Sequence, residues 1–291
     1  MKITKSWLLI LAMLLGLTGC SMVTFGYNHG DWLLRYWIHD YTSFNKQQKE
    51  EIHREVDDYL RWHRQHALPE YTAWLQKLNT LVTRNRALMA ADVAQSRAEV
   101  WRLYRLTMAP MIPPAARILR TLDSAQITEL ANRLAEKNDE YREENLGDSE
   151  QEMLDRRADR YIDIAEDLVG TLDAEQKKQV RALNLRVPPS TAYFDQREAK
   201  QATLIALLNT KGSEAEIAAL FRLWTDTPEA SRSPQHQQAI TAYDNAMNEM
   251  IAQIHGMLKP HQKRHLSEML KIYIDDFERL YTDIEAQVRA E

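Results

Sequence analysis

One helix-start signal recurs four times and limits the possible folds more than any other feature of the chain. Phe44-Asn45-Lys46-Gln47-Gln48, Leu122-Asp123-Ser124-Ala125-Gln126, Leu172-Asp173-Ala174-Glu175-Gln176 and Leu258-Lys259-Pro260-His261-Gln262 all read apolar-x-x-x-Gln. In such a capping box, Asn45, Asp123 or Asp173 accepts from the first free backbone N–H groups, while the glutamine three residues on reaches back to the cap's own N–H. Lys259 has no acceptor to offer, although Pro260 suits a first helical turn. Asp92-Val93-Ala94-Gln95, Asp148-Ser149-Glu150-Gln151 and Ser213-Glu214-Ala215-Glu216 read as further starts. Between them apolar residues return every three or four positions, as in Leu154, Ala158, Tyr161, Ala165 and Leu168. Only four glycines follow Gly30, namely Gly147, Gly170, Gly212 and Gly256, and each is expected to end a helix. The expected class is all-α, a multi-helix, bundle-like array of amphipathic helices.

The order of the starts suggests two duplicated halves. The helix after Gln48 has a counterpart after Gln176, and Leu130, Leu134 and Tyr141 after Gln126 align with Leu266, Leu270 and Phe277 after Gln262. Leu78-Asn79-Thr80 is echoed by Leu208-Asn209-Thr210, and Trp101-Arg102-Leu103-Tyr104 by Phe221-Arg222-Leu223-Trp224. Breaks are expected at Pro113-Pro114, at Pro188-Pro189-Ser190 and across residues 225–234. The expected organisation is a signal peptide over 1–19, a tether over 20–30 and a helical domain over 31–291, with halves 31–170 and 171–291.

The signal peptide rests on the basic Lys2 and Lys5 followed by the apolar run WLLILAMLL, which is too short to span a bilayer. Leu17-Thr18-Gly19-Cys20 then resembles the lipobox of bacterial lipoproteins. The resemblance implies a diacylglyceryl thioether and an N-acyl group on Cys20, and more than one chain is what stable anchoring needs. In such lipoproteins Asp after the cysteine favours inner-membrane retention. Ser21 stands there, which implies the outer membrane, facing the periplasm. Cys20 is the single cysteine, so disulfides and thiol chemistry are excluded from the rest of the chain. Without residues 1–19 the 37 basic residues fall by two lysines to 35 against 42 acids, a net charge of −7. That balance argues against a nucleic-acid partner.

The stretch YNHGDWLLRYWIHDY, residues 27–41, carries Tyr27, Trp32, Tyr36, Trp37 and Tyr41. Asp31, Arg35 and His39 share one polar row at four-residue spacing, with Asp31 and Arg35 as an ion pair and His39 as a buried hydrogen bonder. The remaining circumference is apolar. The tether reaches at most roughly 35 Å when extended, which keeps the segment near the membrane, but packing onto the helical body is the favoured expectation.

Histidines at helical spacing, His63 with His66 and His261 with His265, could face one metal ion. No carboxylate is clearly tied to either pair, and Pro69 is expected to end the first helix before Glu70 could complete a trio with His63 and His66. Neither a metal nor another cofactor is expected. The carboxylate doublets Glu50-Glu51, Asp57-Asp58, Glu143-Glu144 and Asp275-Asp276 read as solvated faces. Motifs for a nucleophile elbow, a phosphate loop or a zinc protease are absent, so no catalytic residue is assigned. Trp62, Trp74, Trp101 and Trp224 read as core fillers or interface anchors. The expected role is non-catalytic binding, scaffolding or chaperone-like work with an envelope protein partner. Hydrolysis of peptidoglycan is the alternative, and periplasmic metal binding a weaker one.

With its lipobox, its aromatic opening, the segment RWHRQHALPEY over 61–71 and the repeated starts, the chain resembles an uncharacterised family of bacterial lipoproteins. The resemblance implies lipidation and a helical fold and carries no activity. The starts are also similar to the Leu-Thr-x-x-Gln motif of small periplasmic helical stress proteins and chaperones, with Asn45, Asp123, Asp173 and Lys259 at the threonine position.

Overall fold

The computed structural model describes residues 22–146, 149–189 and 191–288, and their architecture is all-α. Helices α1 (Met22–Asn28) and α2 (Gly30–His39) precede the first repeated start. Helix α3 (Lys46–Trp62) passes through a π turn (His63–Ala67) into α4 (Leu68–Thr83). Then come α5 (Ala90–Met108), α6 (Ile112–Arg120), α7 (Ser124–Asn145) and α8 (Glu150–Val169). After Gly170 follow α9 (Ala174–Asn184), α10 (Thr191–Asn209), α11 (Glu214–Asp226), α12 (Pro234–Gly256) and α13 (Pro260–Val288).

The four starts do more than cap. Asn45, Asp123 and Asp173 each accept from the N–H three residues on, and each glutamine accepts from its own cap's N–H, Lys259 included. The same glutamines then pair across the fold. Gln48 Nε2 donates to Gln126 Oε1 at 3.2 Å and Gln126 Nε2 returns the bond at 2.8 Å. Gln176 and Gln262 make the same reciprocal pair at 2.7 and 3.0 Å. Each amide spends its other N–H on the carbonyl two residues ahead of its partner's cap: Thr121, Ser43, Met257 and Thr171. All four side chains are buried, with both N–H groups and the oxygen of every amide engaged. We call these arrangements the first and second clasps.

The two halves do not have separate cores. Helix α4 packs along α13 and α10 along α7, while α5 packs on α12 and α11 on α6, so each pair joins an element before Gly170 to one after it. Leu208, Ile217 and Ala218 accordingly lie in the core built around Phe44, Ile52, Ile112 and Leu122. In the same way Leu75 and Val82 meet Leu270 and Ile274. Under the correspondence of α3 with α9 through α7 with α13, each of these contacts maps onto its counterpart.

Several sequence expectations change. Asp92 is not a cap: α5 begins two residues earlier, at Ala90, and Asp92 turns back to accept from Met89 N–H at 3.0 Å while Arg84 and Arg86 bind it. These partners hold its carboxyl at about 2. Ser149 caps α8, accepting from Glu152 N–H, and Asp148 lies outside the described residues. Pro69 does not end the first helix, because the π turn shifts the bonding so that Leu68 N–H reaches His63 O and the proline enters the first turn of α4, where no N–H is needed. Pro113 and Pro114 likewise open α6. Gly170 does end α8 with φ +77°, whereas at the end of α10 the left-handed residue is Lys211. Gly212 is needed there for a different reason: a Cβ would sit 2.4 Å from Leu207 Cδ1. Gly256 is the last residue of α12 itself, and Gly147 lies outside the described residues.

Candidate functional site

The first clasp sits against a cavity of about 620 Å³ between α2, α3, α6 and α7. Its walls are apolar side chains such as Leu34, Ile38, Ile52, Met108, Met111 and Ile118. Its carboxylate and its threonine are already engaged. Glu55 binds Arg117 at 2.5 Å, and the Thr42 hydroxyl lies 3.1 Å from Gln126 O and 3.0 Å from Glu129 Oε2. A volume of this size lies in the range of roughly 300–1,000 Å³ typical of small-molecule sites.

A second cavity of about 670 Å³ adjoins it, and Tyr41, Leu119 and Leu130 line both. Its walls combine apolar residues, Trp101, Tyr104, Leu204 and Trp224 among them, with Arg197, Lys200 and Arg232. Arg197 lies over the Tyr141 ring at 5.6 Å and the Lys200 ammonium over Trp224 at 5.8 Å. Arg232 donates to the neutral amides of Gln196 and Gln237. Burial, and then the nearby Arg232, lower the Lys200 pKa. Tyr193, also in the wall, donates to Asp244 at 2.9 Å, and Asp244 is in turn bound by Arg97 at 2.5 Å. Burial, with Asp244 second, pushes the Tyr193 hydroxyl up to about 12.

The aromatic opening divides between three environments. Tyr41 lines both cavities, and Leu34 and Ile38 pack on the core. Trp32 (62%), Tyr36 (59%) and Trp37 (66%) are exposed, contrary to the expectation that this row packs on the helical body, with Trp37 at the rim of the first cavity. Helix α2 fully buries none of its residues, and Leu34 and Ile38 on its inner face line the hollow as well as touching the core. Tyr27, expected in an extended tether, belongs to α1 and donates to His63 Nδ1 at 2.7 Å.

In the polar row, Arg35 pairs with Asp31 at 3.4 Å and also with Asp57 of α3. His39 is not the expected hydrogen bonder: its Nε2 is buried with no hydrogen-bond partner among the described residues, between Phe44 and His53. Burial, then His53, lower its pKa.

His63 and His66 do not converge. His63 Nε2 lies 3.4 Å from Tyr71 Oη, and Tyr71 Oη 2.5 Å from Thr107 Oγ1, whose own proton goes to Leu103 O. One proton placement satisfies the series: Tyr27 O–H to Nδ1, Nε2–H to Tyr71, Tyr71 O–H to Thr107. His63 is thus a neutral histidine with both nitrogens in use, and burial depresses its pKa to about 4. His66 stacks on Trp62 and bonds Trp62 O. His261 is exposed on α13, and the His265 ring comes to within 3.8 Å of where a Cβ on Gly170 would lie. Among the described residues no group of three His, Cys, Asp or Glu is placed to hold a metal ion. Asp276, expected on a solvated face, is fully buried with Arg279 against it. Cys20 lies outside the described residues. Among those described, no helix is long and apolar enough to cross a membrane.

The second cavity was missed by the sequence reading, although a trace of it is legible. Arg197 and Lys200 share a face of α10 with Tyr193, Gln196, Gln201 and Leu204, with no acid three or four positions away. Elsewhere such neighbours pair, as Arg133 with Glu136 or Lys137 with Glu140.

A family model described as a family of unknown function, DUF6279, matches residues 40–229. No curated protein and no solved structure matches the chain. The matched stretch runs from just before Tyr41 to just past Pro228 and so carries the first clasp, Arg197, Lys200 and most of both cavity walls, while α2 and Arg232 fall outside it. The chain belongs to this family of unknown function.

Proposed function

We propose that the protein is an envelope lipoprotein, anchored through Cys20 at the outer membrane and facing the periplasm, whose non-catalytic task is to hold the apolar chain of a membrane lipid in the first cavity. The observation that carries this reading is the cavity itself: about 620 Å³ lined mainly by aliphatic, methionine and aromatic side chains, with the Glu55 carboxylate and the Thr42 hydroxyl already bonded elsewhere. Such a space favours an apolar occupant, at roughly 0.8 kcal/mol per buried methylene. The exposed Trp32, Tyr36 and Trp37 support the membrane as its source, because amphipathic rings concentrate at the bilayer interface and Trp37 stands at the rim. The lipobox supports it independently, since an acylated Cys20 would lie just ahead of α1.

The test is photocrosslinking in cells fed an alkyne-bearing, photoactivatable fatty acid. Ultraviolet-dependent adducts on peptides carrying Met108, Met111 or Ile118 are the expected result. Label confined to the Cys20 peptide would overturn the cavity reading while supporting the anchor. The anchor has its own check: Cys20→Ser should abolish labelling that does not depend on light.

A further inference from the structure

We propose that the second cavity is a headgroup site, in which Lys200, Arg232 and Arg197 bind the oxyanion of an anionic amphiphile whose chain crosses Tyr41, Leu119 and Leu130 into the first cavity. This rests on the reading of the first cavity as a chain site.

Charge bookkeeping singles this place out. Most arginines that reach other helices are neutralised there by carboxylates, as Arg117 is by Glu51 and Glu55, Arg133 by Asp40 and Arg97 by Asp244, whereas the buried Arg157, which lines neither cavity, donates to Asn184 and to the carbonyls of Val187 and Pro188. Around the second cavity no carboxylate lines the wall, and among the described residues no acid pairs with Arg197, Lys200 or Arg232. Their partners are two aromatic rings and two neutral amides. Three like charges on a half-buried, largely apolar wall repel one another more strongly than they would in water. An oxyanion removes that repulsion and gains charge-assisted hydrogen bonds, which an arginine can offer in bidentate form. The flanking Trp101, Tyr104, Trp224 and Leu204 suit the first carbons of a chain rather than a free inorganic anion. Tyr41, Leu119 and Leu130 line both spaces, so a chain that runs from one to the other crosses at those side chains. A phospholipid phosphodiester and a fatty-acid carboxylate share the required chemistry.

The experiment is native mass spectrometry of the full-length protein released from detergent micelles. The micelles contain equal amounts of phosphatidylglycerol and diacylglycerol with identical chains or, in a second arm, palmitate and the uncharged alcohol of the same chain length. The wild type should retain the anionic species at least tenfold over its uncharged counterpart, and the arm that does so identifies phosphodiester or carboxylate. The double variant Lys200→Gln, Arg232→Gln should bring that ratio to about one while retention of the uncharged species stays unchanged. Equal retention of all species by the wild type, or a ratio unmoved in the double variant, overturns the headgroup site and leaves the chain site standing. Ala115→Phe, which projects into the first cavity, should cut retention of every lipid at least tenfold. Retention that is absent in the wild type or unaffected by Ala115→Phe overturns the chain site instead.

Discussion

The two clasps are built alike and their surroundings differ. In the second, Leu172 and Leu258, the apolar residues that open its two starts, sit in a core with Val180, Leu183, Ile162 and Met250 that is filled around the clasp and borders a smaller cleft of about 350 Å³ only at Leu183 and Met250. In the first, the corresponding Phe44 and Leu122 belong to the core and also line the cavity. The same helix-start chemistry thus supports a solid region and a hollow one. What separates them is what lies beside the clasp: α2, with its outward tryptophans, and the proline-opened α6 line a cavity next to the first, whereas α8 and α12 pack over the second. The clasp is therefore a device of the fold, and the hollow is where a function has room.

The sharpest way to break the comparison is to remove one amide from each clasp. Gln126→Ala and Gln262→Ala each orphan a partner amide, a cap N–H and a half-buried carbonyl, and each should cost about 4 kcal/mol in urea denaturation. Water reaching the orphaned groups through the cavity should make the first loss smaller by about 1 kcal/mol. Equal losses would show that the hollow is closed to water at that depth, and losses under 1 kcal/mol at either site would show that the clasps do not pin the fold.

Acid should weaken the hollow side. His63 neighbours Tyr59 of the cavity wall, and burial takes its pKa from 6.5 to about 4. A histidine whose folded pKa is lowered binds its proton first in the unfolded chain. Its contribution is therefore complete above pH 6.5 and is lost as the pH falls towards 4, by at most about 3 kcal/mol. His63→Phe should flatten that part of the stability profile between pH 6.5 and 4, and an unchanged slope would assign it to other groups. His255, buried near the second clasp with its own pKa lowered by burial, should still contribute a slope in the same direction.

A third contrast needs only one extra ring on each side. Ala165→Phe overpacks the filled core and should destabilise by about 2 kcal/mol. Ala115→Phe projects into the cavity and should change stability by less than about 1 kcal/mol. If both variants lose the same amount, the cavity is not a standing space in the fold.

Much of this was legible in the residues. Helical periodicity and the boxes at Asn45, Asp123, Asp173 and Ser213 fix the class and four helix starts, because a cap is a local event with a local signature. The pairing of the glutamines was not legible, since Gln48 and Gln126 meet 78 positions apart and nothing in either stretch names its partner. The hollow was invisible for a related reason. Trp37 and Ile38 have the same apolar character in sequence, and only the placement of α2 over the void turns one ring outward and the other side chain in. The π turn at His63 overrode the proline rule in the same way, through a tertiary anchor supplied by Tyr27, Tyr71 and Thr107.

The smallest difference between the clasps is chemical. Both caps of the first can accept from the backbone, whereas the second has Asp173 and Lys259, and the lysine spends its charge on Asp173 Oδ2 at 2.7 Å. Lys259→Asn exchanges that half-exposed ion pair, weak in solvent, for a cap bond to Gln262 N–H typically near 1 kcal/mol. Asp173 keeps its own capping bond to Gln176, so the rest of the clasp is undisturbed. The net expectation is a gain of about 0.5 kcal/mol, read as a rise in the urea midpoint with an unchanged slope. A loss instead would mean that the lysine bridge between the two starts, and not the cap, sets the geometry on which the second clasp closes.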